Sequence, residues 1–107
     1  MTDPNRAVDY IIANASKFAQ AKANRIFLEE FRKSKKALLM SQSTAEAANA
    51  REQFAYAHPE YVELLQGLKE AVETEEKLKW ELVAAQLRVD VWRSEEASNR
   101  NQDRAMR

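Results

Sequence analysis

The stretch EEKLKWELVAAQLRVDVW, residues 75–92, places apolar side chains on two nearly opposite sides of a helix. At helical spacing, the first stripe consists of Leu78, Leu82, Ala85, Val89 and Trp92. The other stripe, called here the second stripe, consists of Trp80, Val83, Ala84, Leu87 and Val91. A surface helix buries one apolar face against its own domain, so the second stripe needs a separate cover.

The first stripe belongs to a seven-residue repeat that runs through the C-terminal half of the chain. This repeat predicts a long helix with coiled-coil packing, from Pro59 to about residue 100. Glu75 is its only polar member, and the polar segment after Trp92 predicts a tail that frays towards residue 107. The members of the repeat, called here the seam, are Tyr61, Leu64, Leu68, Ala71, Glu75, Leu78, Leu82, Ala85, Val89 and Trp92.

The N-terminal half predicts one long helix and one short helix. Asp3 and Pro4 are suited to the start of a helix, which then runs without Gly or Pro to about residue 40. Its predicted packed stripe is Val8, Ile12, Ala15, Ala19, Ala23 and Ile26, followed by Phe27, Phe31 and Leu38. Ser43 and Glu46 match a capping box, which predicts a short helix over about residues 44–57, before a break at His58.

Charge predicts how these helices pair within a single helical domain. Residues 1–40 hold eight Lys/Arg and four Asp/Glu, whereas residues 59–81 hold three Lys and seven Glu. An antiparallel hairpin lays the basic segment beside the acidic one, and this pattern selects the orientation. We therefore expect an all-α, coiled-coil-like antiparallel hairpin, with the short helix at its bend.

The hairpin covers the seam but leaves the second stripe in water. Each large apolar side chain left there forfeits about 1.5–3 kcal/mol of burial free energy, and monomers rarely expose a long apolar strip. A second copy of the chain is the simplest cover, so the sequence predicts a helical-bundle oligomer. The alternative is that the first helix wraps both stripes, or that the helices bend.

A basic stripe on the first helix is the strongest alternative candidate for a binding site. A row of cations at this spacing could meet nucleic-acid phosphates. The simpler interpretation is a solvated face that the acidic third helix partly neutralises, since Glu29 interrupts the row. The basic stripe consists of Lys22, Arg25, Arg32, Lys33 and Lys36.

Composition offers little for catalysis. The chain has no Cys, one His and one Gly, so neither a thiolate zinc site nor a glycine-rich phosphate loop is expected. His58 is interpreted as a turn residue, and the acidic run ETEEKLKWE as a solvated face. We expect no enzyme activity, cofactor, metal or small-molecule substrate. No signal peptide or membrane span is evident, and we expect a cytoplasmic protein.

The segment YAHPEYVELLQGLKEAVETEEKLKWELVAAQLRVDVWRSEEASNR, from Tyr56 to Arg100, resembles small uncharacterised helical proteins of bacteriophages. The likeness lies in His-Pro-Glu-Tyr, the heptad run with its flanking aromatics, Val-Trp-Arg and the Glu-Ala-Ser-Asn-Arg tail. Such proteins are encoded near recombination and replication functions. The resemblance implies an accessory factor that modulates a host or phage protein complex, and it carries no catalytic residue over to this chain.

Overall fold

A computed structural model describes residues 3–106, and it contains three helices and no strand within that range. The helices are α1 (Pro4–Gln42), α2 (Ala48–Ala57) and α3 (Pro59–Met106). Long α1 packs against long α3 and short α2 lies at the bend, which confirms the all-α helical hairpin. Helix α3 continues to Met106 rather than fraying near residue 100, and residue 107 lies outside the described residues.

The helix starts follow local sequence signals at two of the three positions. The Asp3 carboxylate accepts hydrogen bonds from the backbone N–H of Asn5 at 3.0 Å and of Arg6 at 3.4 Å, as predicted for the start of α1. His58 has extended backbone geometry and separates α2 from α3. Its Nδ1 atom accepts the backbone N–H of Glu60 at 3.1 Å, so the imidazole caps α3.

The predicted capping box of α2 is wrong. Helix α2 begins at Ala48, its N-cap is Ala47, and no side chain caps it. The hydroxyl of Ser43 instead accepts the backbone N–H of Ala45 at 3.2 Å, inside the connection between α1 and α2. Because Ser43 stabilises this turn locally, it is not available to the helix that follows.

The chain divides into two compact units, and both contain parts of α1 and α3. The first unit comprises the residues up to Ala19 and those from Glu76 onward. In this unit, Ala7 packs with Ala85 and Val89, and Tyr10 and Ile11 pack against this cluster. Small residues at the contact allow the two helices to approach closely.

The second unit comprises Gln20–Glu75 and includes all of α2. Its buried cluster joins the three helices through Leu39 of α1, Ala55 of α2 and Tyr61 of α3, with Met40 packed against them. The predicted pairing of basic α1 with acidic α3 is also present here, because Lys35 Nζ lies 3.1 Å from Glu60 Oε2. The bend is therefore held by both apolar packing and charge.

The seam of α3 is packed as predicted, but the predicted stripe of α1 is wrong. All ten seam residues are buried or half-buried. On α1, the residues expected to pack are exposed, except for half-buried Phe31; they are Val8, Ile12, Ala15, Ala19, Ala23, Ile26, Phe27 and Leu38. The residues that turn inward are Ala7, Ile11, Asn14, Phe18, Ala21, Arg25, Leu28, Lys35 and Leu39.

Polar groups that are satisfied inside the protein explain this rotation of α1. The Asn14 side-chain amide donates to the carbonyl oxygen of Tyr10 at 2.8 Å, and Arg25 pairs with the carboxylate of Glu75. A buried polar group costs little once it is hydrogen-bonded, so these residues are tolerated on the packed face. The uninterrupted apolar stripe consequently faces solvent.

Candidate interaction surfaces

The second stripe lies on the exposed side of α3 within the first unit. Trp80 exposes 60% of its surface and Leu87 57%, and Val83, Ala84 and Val91 are also exposed. Ala85 and Val89 are buried on the side of the same helix that faces α1. Helix α3 thus has apolar side chains in contact with α1 and a further apolar row in contact with water.

Trp80 is exposed, and its indole also contacts two side chains of its own helix. Its indole Nε1–H donates to Glu76 Oε2 at 3.1 Å, and the ammonium of Lys79 lies 5.6 Å from the ring centroid. The polar edge of the indole is therefore satisfied within α3, while its apolar surface remains exposed. Such an aromatic can bury a large area at an interface with little loss of conformational entropy.

An open depression of about 670 Å³ adjoins the C-terminal end of the second stripe. Leu87 and Val91 line one end of it, and Ser94 and Ser98 extend it towards the C-terminus. Asp90, Glu95 and Asn99 complete its lining. The surface of this helix therefore combines a projecting indole with a region of low relief.

The structure separates the basic stripe into exposed and engaged residues. Lys22, Arg32 and Lys33 are exposed, and Lys33 Nζ lies 3.4 Å from Glu30 on the same helix. Arg25 and Lys36 are half-buried and interact with carboxylates of the second unit. The five cations thus do not form one continuous exposed row.

Arg25 is the clearest departure from the expected role of the basic stripe. Its Nη2 donates to Glu75 Oε1 at 3.0 Å, its Nε donates to the other Glu75 oxygen, and its Nη1 donates to Glu29 at 3.0 Å. Hydrogen bonding to Glu75, and then to Glu29, raises the pKa of Arg25 above its ordinary value. Glu75, the polar residue of the seam, thereby forms a bidentate ion pair with Arg25 of α1.

Lys36 joins α1 to α2 in the same unit. Its Nζ donates to Glu52 Oε1 at 3.1 Å and lies 4.8 Å from the ring centroid of Tyr56. Interaction with Tyr56, and then with Glu52, raises the pKa of Lys36. A second cation from the basic stripe is therefore occupied in holding the bend together.

The sequence patterns missed two features of the first unit. The phenol of Tyr10 donates a hydrogen bond to Glu81, and this bond raises the pKa of Tyr10. The rotated α1 also exposes Ile12, with 71% of its surface in solvent. The Tyr10–Glu81 contact was foreseeable only from the register of the two helices, because it joins residues far apart in the chain.

The remaining chemical features are modest. Among residues 3–106, no group of three or more His, Asp or Glu side chains is arranged to hold a metal ion, and no helix has an apolar stretch long enough to cross a membrane. No known protein family, curated protein or solved structure matches the chain.

Proposed function

We propose that the protein is a non-enzymatic helical interaction protein whose binding surface is the second stripe of α3. The observation that carries this proposal is the exposure of Trp80, Val83, Leu87 and Val91 in one row on a helix whose opposite side is packed. Exposed apolar rows of this kind are typical of protein interfaces. An exposed tryptophan followed by aliphatic residues in the same row also has the composition of an interface hot spot.

The proposed setting is the cytoplasm, where the protein acts as an accessory factor that modulates a host or phage protein complex. This part of the proposal is supported by the resemblance of residues 56–100 to phage-encoded helical proteins. It is also compatible with a chain that has no Cys and balances 17 basic residues against 17 acidic ones. A balanced charge gives no general attraction to one class of charged partner, so apolar contact carries the proposed binding.

Fluorescence of Trp80 tests the proposal directly. In a Trp92→Phe background, Trp80 is the only tryptophan, so its emission reports on the second stripe alone. We expect titration with a partner, whether a second copy of the chain or the product of a neighbouring gene, to shift this emission to shorter wavelength, because binding removes the indole from water. Leu87→Gln combined with Val91→Thr should weaken that titration.

A matched control distinguishes the second stripe from exposed apolar surface in general. Ile12→Gln replaces an exposed apolar residue of α1 in the same unit and should leave the titration unchanged. If the stripe variant and the wild-type protein bind the candidate partner equally, the second stripe is not the binding surface.

A second candidate function is nucleic-acid binding through the exposed part of the basic stripe. Lys22, Arg32 and Lys33 support it, because these three cations are exposed on α1. Exposed cations along one helix are suited to contacts with nucleic-acid phosphates. Under this hypothesis, the protein would serve as an accessory factor of phage recombination or replication.

Fluorescence anisotropy with single- and double-stranded DNA at two salt concentrations tests this candidate. Binding to phosphates predicts an affinity that falls steeply with salt, and Arg32→Glu with Lys33→Glu should remove it without loss of helix content. Arg25 is unsuitable for this test, because its substitution would disrupt the contact with Glu75. Absence of wild-type binding at low salt would eliminate the nucleic-acid function.

A further inference from the structure

The side of α3 that carries the second stripe has both a projection and a depression, and their spacing suits self-recognition. Trp80, Leu87 and Ser94 follow one another at seven-residue intervals, so they lie on the same side of α3. Trp80 provides the projection, and Ser94 lies within the depression of about 670 Å³. Leu87 lies midway between them, about 10 Å along the helix from each.

We propose that the partner on the second stripe is a second copy of this chain, packed antiparallel about a two-fold axis at Leu87. This inference rests on the proposed function and names the partner of the same surface. In this arrangement, each Trp80 enters the depression around Ser94 of the partner subunit, and the two Leu87 side chains meet at the axis. A two-fold interface requires one self-complementary surface, which a projection and a depression equidistant from Leu87 provide.

The flanking residues are compatible with this register. Val83 comes opposite Val91 of the partner subunit, so two aliphatic side chains meet, and small Ala84 comes opposite Asp90 of the partner subunit. At the ends of the stripe, Glu76 and Lys77 come beside uncharged Ala97 and Ser98 of the partner subunit, so no like charges are opposed there. Asp90 accepts a hydrogen bond from Gln86 of its own helix at 3.2 Å, which keeps its carboxylate satisfied at the rim.

The exposed apolar area is suited to a dimer of ordinary size. Trp80, Val83, Leu87 and Val91 expose 60%, 38%, 57% and 49% of their surfaces. With roughly 150–250 Å² for a fully exposed aromatic side chain and less for an aliphatic one, they present on the order of 300 Å² per chain. A stable interface buries about 800 Å² per partner, of which about 56–65% is apolar. The stripe therefore supplies most of the apolar area that a dimer needs, and polar residues at the rim supply the rest.

Single cysteines test the axis and the direction of pairing, because the chain has no Cys of its own. Leu87→Cys places two thiols at the two-fold axis and should form an intermolecular disulfide efficiently on mild oxidation. Ser94→Cys should not, because two antiparallel copies separate these positions by about 20 Å, whereas a disulfide needs Cα atoms within about 7 Å. Cross-linking of both variants would indicate parallel helices and overturn the proposal, as would cross-linking of neither.

Blocking the depression tests the fit without removing any apolar side chain. Ser94→Arg should raise the dissociation constant of the dimer, measured by sedimentation, by at least about 30-fold, as expected when a hot-spot contact is lost. Ser16→Arg makes the same change at an exposed helical serine of the same unit and should leave the dimer intact. Equal dissociation constants for the two variants would overturn the proposal.

These tests use the purified chain alone, so they are independent of the partner titration. A monomeric wild-type chain would overturn self-association, yet the proposed function would stand if a different protein bound the same stripe.

Discussion

Leu39 and its neighbour Leu38 allow a sharp test of how α1 is oriented. Leu39 is completely buried in the cluster with Ala55 and Tyr61, whereas Leu38 exposes 56% of its surface. The apolar pattern of the sequence favours the opposite assignment, with Leu38 on the packed face. Leu39→Ala and Leu38→Ala make the same chemical change at adjacent positions of one helix, so their difference reports burial alone.

The structure sets the size of the expected difference. Truncation of a fully buried Leu to Ala costs about 2–5 kcal/mol, through lost burial and the cavity that remains. Ala55 is too small to fill that space, so we expect about 3 kcal/mol for Leu39→Ala. Leu38 is already more than half in water, and Ala has a slightly better helix propensity, so we expect less than about 1 kcal/mol for Leu38→Ala.

Thermal unfolding followed by circular dichroism measures both variants at one protein concentration, which is fixed because self-association would shift the midpoint. For a domain near this size, each kcal/mol corresponds to about 4–8 °C, so the midpoints should differ by roughly 8–16 °C or more. A midpoint for Leu38→Ala equal to or below that of Leu39→Ala would refute the packing of α1, and would favour the stripe through Leu38.

Three further predictions concern individual contacts. Arg25→Leu and Glu75→Leu should each lower the midpoint of thermal unfolding, because each leaves the charge of the other residue on the packed face. The double variant should recover most of this loss, and additive effects of the two substitutions would refute the coupling. The raised pKa of Tyr10 stabilises the fold below the unfolded-state pKa of about 10, and this contribution should disappear as pH rises through the folded-state value. Denaturant unfolding at alkaline pH should therefore show a steeper loss of stability for the wild type than for Tyr10→Phe, and identical pH profiles would contradict this. Pro59→Ala should change the free energy of unfolding by less than about 1 kcal/mol, because Pro59 is exposed at the first position of α3. A loss above about 3 kcal/mol in denaturant unfolding would show that the break between α2 and α3 is misplaced.

The seam of α3 was predictable because its repeat is nearly uninterrupted. Buried Ala71, Ala85 and Val89 recur at heptad positions, and the charge difference between the two halves favoured the antiparallel orientation. Glu75 was visible as an exception, but its partner was not. The pairing with Arg25 depends on the register between α1 and α3, and local periodicity does not encode that register.

The packed face of α1 could not be identified from apolar periodicity alone. Two faces compete along this helix, and the one with more apolar residues, including Ile12 and Ile26, is exposed. The packed face includes Asn14 and Arg25, whose polar groups are satisfied within the fold. A prediction that treats every polar residue as unfavourable to burial therefore selects the wrong side of α1.

The candidate surfaces were predictable to different degrees. The second stripe follows directly from the sequence, because a helix with two apolar sides packs only one of them against a single neighbour. The basic stripe was less predictable, since spacing groups its cations but does not reveal which carboxylates they meet. Lys36, for example, contacts Glu52 across the bend.

The molar mass of the purified protein tests the central claim most directly. Light scattering coupled to size-exclusion chromatography should give twice the chain mass of 12.3 kDa at tens of micromolar, because two copies cover their second stripes. Leu87→Gln combined with Val91→Thr should return the mass to that of one chain, with unchanged helix content. A wild-type mass of 12.3 kDa at every concentration up to about 100 µM would contradict the claim that this face pairs with a second copy.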